Sequence, residues 1–429
     1  MPDCSVKYGQ GMRTLALPPG LRFDTLAPGF RAPLPDPIAA VRTALRNPIG
    51  TPPLQEIVNP GERVVIVVND ITRLAHSDVF LPVLVDELDL AGIPDRDIVI
   101  VFALGIHRRH TAKEQRQIVG EDLARRILLI DHDAFDQNNL SFVGRTTYGN
   151  EIWVNRRVRE ANRVILTGEI IYHLIAGYSG GRKSLVPGVA GAATISFNHK
   201  FILDPRCRAG ALDGNPAHED MLEACGLFKP DFLLNVILNA NGELAQVVTG
   251  HYDQAHRTGC ETVNKIYQVL FERPYDVVIA SAGGFPFDID LRQAHKGMEN
   301  AARALRVGGT LLYFAECREG AGSGALSEWT ERFSSSGEMA LALQSHFVVG
   351  GHKAYWIARL GERMRVLLVS ELPESLVRNC HLFAVSDPAA ALCTALEEAG
   401  PGVRVAYMPD ASLTFPSSSM QASVTTFAG

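Results

Sequence analysis

The sequence predicts an α/β protein: two α/β domains with largely parallel sheets and an active site in the cleft between them. Three observations predict it. Short runs rich in Val, Ile and Leu lack polar alternation, as strands buried on both faces do. They alternate with amphipathic segments, the pattern of a parallel sheet with crossover helices. The pattern then stops and restarts once, so there are two such units, with a ligand site expected where they meet.

In chain order, "RVVIVV" (63–68), "DIVIVFA" (97–103), "RILLID" (126–131) and "RVILTG" (163–168) read as the first set of strands. Between them, 78–92 and 111–126 read as helices. After "FERPYD" (271–276) come strands at 276–284, 309–316, 364–370 and 404–409, with helices at 300–308 and 388–400. The boundary is placed between residues 272 and 273, giving domains 1–272 and 273–429. The Ser/Thr-rich tail, 412–429, reads as a loose end.

The length of 429 residues allows large cores. A formal net charge of −6 argues against nucleic acid as a partner, since phosphate contacts need a basic face. A local Arg/Lys cluster can still hold a small anion. The seven cysteines are scattered without a C-x-x-C, which fits free thiols in a reducing compartment. No uncharged apolar run reaches the ~20 residues that span a bilayer, and the first residues lack a signal-peptide core. A cytoplasmic enzyme is expected.

Chemistry-bearing residues fall just after the expected strands. "VVND" ends in Asp70, with Thr72 and Arg73 following. "VFALGIHRRHT" carries His107, Arg108, Arg109 and His110, and Thr111 with Glu114 form a capping box. The stretch 167–200 holds six glycines together with His173, Lys183 and His199, so backbone amides there can approach a ligand closely. "PGVAGAATISFNH" can open a helix whose N-terminus faces an anion. Within this stretch "GYSGGRKS" nearly spells a phosphate-binding loop, but Arg182 stands where the last glycine belongs. In the second domain Arg292, Gln293, His295 and Lys296 begin a helix, and Gln293 and Lys296 share a face. Cations at that end oppose the helix dipole, so an anion is expected nearby.

"NDITR", "ALGIHR", "GEIIYHLIAGYSGGRKSLVPGVAG", "NHK" and "DLRQAHKGMENA" occur in one order over nearly the whole chain. In this the chain resembles the lactate racemase family, the nickel-pincer-nucleotide-dependent 2-hydroxyacid racemases and epimerases. The resemblance implies that Lys183 is the covalent anchor of a pyridinium-3-thioamide-5-thiocarboxylic acid mononucleotide. It implies that His199 ligates Ni(II) beside the two sulfurs and ring carbon of that pincer, a soft set suited to square-planar nickel. Asp70, Thr72, Gly180 and Gly181 would border the cofactor, Asp70 and Thr72 orienting Arg73 or touching the nucleotide. His107 and His173 would be the acid/base pair, one for each face of the substrate, with imidazole suited to working pH. Arg73 and Lys296 would hold the substrate carboxylate, with Gln293 and Trp356 beside it. The partners implied are a small anionic 2-hydroxy acid and the cofactor-synthesis machinery, with no nucleic acid and no membrane.

The sequence departs from the family's usual pattern at Arg292, Tyr172, Arg109 and His110. A buried Arg292 would need a partner. The expected substrate is therefore polar, a sugar acid such as gluconate epimerised at C2, or malate. The alternative is lactate or another short-chain 2-hydroxy acid. Rival readings are a nucleotide-binding protein with a degenerate phosphate loop, a Schiff-base lysine enzyme using pyridoxal phosphate, and a relative retained for binding alone.

Overall fold

The computed structural model describes residues 3–73 and 75–419. The chain forms two compact units, Phe30–Lys265 and the remainder, which joins residues up to Gly29 with those from Ile266 onward.

In Phe30–Lys265 a six-stranded sheet runs Leu244–Gly250, Phe232–Leu238, Arg163–Glu169, Val64–Asn69, Ile98–Ala103, Leu128–Asp131. Every neighbouring pair is parallel except the first two strands. The apolar runs are explained by burial on both faces. Ile66, Val68, Ile100 and Phe102 pack against Phe80, Leu84 and Leu88 of the helix Ser77–Leu90. Val65, Val67 and Val101 pack on the opposite face with Leu185, Val189 and Met221. From Val64–Asn69 the chain moves outward to Leu128–Asp131, then returns to Arg163–Glu169 on the other side. The strand order reverses there, and ligands bind outside the carboxyl ends at such a point.

In the other unit the sheet order is Phe383–Ala384, Arg365–Val369, Leu305–Phe314, Tyr275–Ser281, Val405–Met408, Asp24–Thr25, all parallel. The hairpin Asp3–Tyr8 with Gly11–Ala16 sets Val6, Tyr8 and Leu15 into a core with Ile279, Leu312 and Phe314.

Several expectations are corrected. Residues up to 29 belong with the second unit rather than the first, because Asp24–Thr25 pairs with Val405–Met408. The division near the middle falls at 265/266, before the expected 272/273. The segment 111–126 is two helices, Ala112–Val119 and Glu121–Arg126, since Gly120 adopts φ 86° between them. The segment 300–308 is the end of the helix Leu291–Ala302 followed by the start of the strand Leu305–Phe314. The tail begins ordered: Phe415–Ser418 pairs with Gln268–Phe271, while residues 420–429 lie outside those described. The strands Phe232–Leu238 and Leu244–Gly250 extend the first sheet beyond the strands expected for it.

Candidate active site

Asp70 follows Val64–Asn69, His107 follows Ile98–Ala103, and the segment bearing His173 and Lys183 follows Arg163–Glu169. The first and third of these strands flank the reversal of strand order, and the second pairs with Val64–Asn69. His107 Nδ1 lies 2.5 Å from Asp70 Oδ2. Asp70 Oδ1 accepts from the Thr72 amide at 3.1 Å and its hydroxyl at 2.6 Å. Burial works to raise the Asp70 pKa, but the bonds from His107 and Thr72 outweigh it and hold the carboxyl below its usual value. Asp70 therefore serves His107 directly. Its carboxylate fixes the tautomer of that ring.

Behind this pair lies a second one. His110 Nδ1 lies 2.8 Å from Asp131 Oδ1, and its Nε2 accepts from the Ile71 amide at 3.1 Å. This pins the turn that carries Asp70 and Arg73. The signal for Asp131 was an acid ending the strand "LLID", as Asp70 ends "VVND".

The glycine-rich segment is a short hairpin, Tyr172–His173 with Gly177–Tyr178, followed by a 3-10 turn Gly181–Ser184. Gly177 has φ 76°, and a Cβ there would meet Ala211 O at 2.0 Å. Gly181 has φ 56°, and a Cβ would meet the His256 ring at 2.7 Å. The Gly181 amide donates to Asn235 Oδ1 at 2.7 Å, and Asn235 Nδ2 donates to Gly168 O at 3.1 Å. A lone amide inside the apolar strand "FLLNVIL" was the available signal for Asn235.

Arg182, at the place of the missing glycine, is 1% exposed. Its guanidinium donates to the carbonyls of Ala176, Tyr178 and Gly180, and lies 2.9 Å from His256 Nε2. Lys183 comes next. Burial, then the charges of Arg182 and Arg73, push its pKa well below the ordinary lysine value. His199 ends the helix Ala192–His199. Burial and the Lys183 charge lower it to about 4, against the raising effect of its bond to Ile195. Its Nδ1 stands 2.9 Å from Ile195 O, so Nδ1 carries the proton and Nε2 the lone pair. At the start of this helix the Ala192 amide donates to Ala134 O, and the amide of its N-cap Gly191 donates to Trp153 O.

On the other unit, Asp290 caps the helix Leu291–Ala302 by accepting from the Gln293 amide at 2.6 Å. This carboxylate is the anion that the cations at that end required. Lys296 Nζ donates to Gln293 Oε1 at 2.8 Å, so the two share a face. Trp356 stacks on the buried His295, with ring centroids 5.8 Å apart.

The polar departures are bonded within the protein. Arg292 is not buried: its side chain is 46% exposed and lies 3.6 Å from Asp290 Oδ2. Arg109 pairs with Asp133, His110 with Asp131, and the Tyr172 hydroxyl donates to Asn264 Oδ1 at 2.6 Å. The buried arginine that needed explaining is Arg182.

Residues 8–210 match the lactate racemase N-terminal domain and 271–413 the lactate racemase C-terminal domain. A lactate racemase of Thermoanaerobacterium thermosaccharolyticum is 36% identical over 67% of this chain and 68% of its own. One of Lactiplantibacillus plantarum is 31% identical over 86% and 88%. The solved lactate racemase apoprotein of T. thermosaccharolyticum superposes with a TM-score of 0.88 at 29% identity, over 97% of this chain and 100% of that one. A Thermotoga maritima protein at 18% identity and TM-score 0.66 shares the fold. The fold and these likenesses define an isomerase, a racemase built of two α/β units. The chain belongs to the lactate racemase family.

Two outcomes follow from this geometry. Asp70→Asn removes the carboxylate from His107 and is expected to lower kcat roughly 10²- to 10⁴-fold, the span of a general-base contribution, with the fold intact by circular dichroism. Stability will also depend on acid. Burial and nearby cations lower His218 to about 2, and burial lowers His295 to about 4. Unfolded, both titrate near ~6.5. Their contribution is complete above that value and is lost as pH falls toward the folded values, by about 1.4 kcal/mol per pH unit for each group. Urea midpoints at successively lower pH from 7.5 to 5 should decline. A flat profile would contradict the buried neutral rings.

Proposed function

We propose that the protein racemises a short-chain 2-hydroxy acid, lactate being the preferred substrate, on a nickel-pincer nucleotide anchored at Lys183. The observation that carries this reading is the pair Lys183 and His199, whose pKa values burial lowers and whose positive charges would oppose each other.

The residues fit such a group. A neutral amine is the nucleophilic form needed to join a thioamide. His199, with Nδ1–H given to Ile195 O, presents Nε2 as a metal ligand whose orientation is fixed by its outer hydrogen bond. Among the described residues no three His, Cys, Asp or Glu side chains gather to hold a metal. A single imidazole beside an organic pincer accords with that. When bound, the cofactor supplies a hydride acceptor for the hydrogen at C2.

The chain's own residues do the rest. His107, with its Nδ1 on Asp70, presents Nε2 to take the hydroxyl proton. His173 is the second imidazole of the pair. Arg73 offers a forked guanidinium to the substrate carboxylate. Gly180 and Gly181, where a Cβ would meet Asn235 and His256, let the turn that carries Lys183 pack closely on its neighbours. Lactate is favoured over a sugar acid or malate because Arg109, His110, Tyr172 and Arg292 are bonded to protein partners. Both near relatives also carry the name lactate racemase.

The test is chain produced together with the cofactor-synthesis machinery. Wild type should carry stoichiometric nickel and a mass increment mapping to Lys183. Lys183→Ala should lack both and lose lactate racemisation while keeping its circular dichroism. An increment that persists in Lys183→Ala would refute the anchor. Turnover of malate or gluconate well above lactate would refute the substrate.

A further inference from the structure

His110 joins two loops of the unit Phe30–Lys265, and neither of its ring nitrogens is left over. It stands in the loop that carries His107, between the strand Ile98–Ala103 and the helix Ala112–Val119. One carboxylate clasps it twice. The His110 amide donates to Asp131 Oδ2 at 2.8 Å, and Nδ1 stands 2.8 Å from Asp131 Oδ1. Gln115 Nε2 donates to that same Oδ1 at 3.2 Å. The ring meets Phe102 edge-on with centroids 5.0 Å apart, and the side chain is 1% exposed. Nε2 accepts from the Ile71 amide at 3.1 Å. An amide N–H only donates, so the lone pair sits on Nε2 and the neutral ring gives its Nδ1 proton to Asp131.

Ile71 is the second residue of a tight turn, for the Arg73 amide donates to Asp70 O at 3.1 Å. The Ile71 N–H belongs to the planar peptide that joins Asp70 to Ile71. A bond to that N–H therefore sets the plane from which the Asp70 side chain departs. Two bonds cross between the same two loops: Asp70 to His107, and Ile71 to His110. The first joins side chains, and the second joins the supports behind them. Loops hold a site less closely than strands do. Here the ring ties the turn, by way of Asp131, to the end of the strand Leu128–Asp131.

We propose that His110 is a positioning residue for the racemase: through Nε2 it holds the Asp70–Ile71 peptide so that Asp70 meets His107 in the orientation turnover needs. This rests on the racemase reading and adds a residue to it. His110 acts through the backbone, since both its nitrogens are engaged within the protein. The bond to Ile71 transmits the effect, and the clasp by Asp131 keeps the ring where it can make that bond. Releasing the peptide lets Asp70 turn away from His107 and leaves the groups themselves chemically unchanged.

Three variants separate the two ends of the ring. H110Q places an amide oxygen near Nε2 and can still accept from Ile71. H110N places an amide near Nδ1, so it keeps Asp131 and cannot reach Ile71. H110L keeps neither. In the chain without cofactor, hydrogen exchange at the Ile71 amide should be roughly five- to tenfold faster in H110N and H110L, the effect of one lost hydrogen bond, and near wild type in H110Q. In cofactor-loaded enzyme, H110N and H110L should lose roughly 10²-fold in kcat, the cost of a small misplacement away from the chemistry. H110Q should recover most of that, with KM for lactate little changed throughout. If H110L fails to fold by circular dichroism, the polar pair H110N and H110Q decides. Equal loss in H110N and H110Q overturns the link through Ile71. Unchanged kcat in H110N, or a rise in KM alone, overturns the positioning role and leaves the racemase reading intact. Loaded wild type that racemises no 2-hydroxy acid would remove the racemase reading itself, whatever the exchange rates show.

Discussion

The site depends on one buried guanidinium. Arg182 is enclosed, and among the described residues no carboxylate forms an ion pair with it. Burying such a charge is costly unless hydrogen bonds replace water. Here the replacement comes from the carbonyls of Ala176, Tyr178 and Gly180. Those carbonyls belong to the hairpin that carries His173 and to the turn that carries Lys183. The same group therefore fixes the backbone at both residues. Its charge, added to burial, also lowers the pKa of the neighbouring lysine amine. A glycine at 182 would provide neither effect, so the departure from a phosphate-binding loop has a physical reason.

A second constraint runs through the turn after the first buried strand. Asp131 holds His110, His110 accepts the Ile71 amide, and the turn so fixed presents Asp70 to His107. Each link is short and directional. The acid at 70 is more than a partner to its ring: with Thr72 it is bonded on both oxygens, which sets the plane of the carboxylate. The helix beyond is held by the Thr111–Glu114 capping box, and Arg108 closes onto Glu114.

Much of this was legible in the sequence, for reasons that can be named. Buried parallel strands write themselves as unbroken apolar runs, and the residues after them mark the ligand end of the sheet. The capping box needed only local spacing. What was not legible depended on distant partners. Nothing in "VKYGQGMRTLA" says that it packs on strands some 270 residues later, or that Asp24–Thr25 joins Val405–Met408. Nothing near Arg109, His110, Tyr172 or Arg292 reveals Asp133, Asp131, Asn264 or the geometry of Asp290. Those four side chains looked like the lining of a polar pocket because their partners were out of sight. Arg182 was misread in the opposite sense, as a missing glycine rather than the support of the loop.

The central claim is that the fold delivers a neutral, nucleophilic amine at Lys183. It is tested most directly by the pH dependence of amine acylation in the chain without cofactor, resolved residue by residue through peptide mass analysis. Lys183 should react at an unchanged intrinsic rate through neutral pH, while free lysine peptides in the same mixture, with amines near ~10.4, slow tenfold for each pH unit below that value. Lys183 slowing in step with them would show a protonated amine and contradict the account.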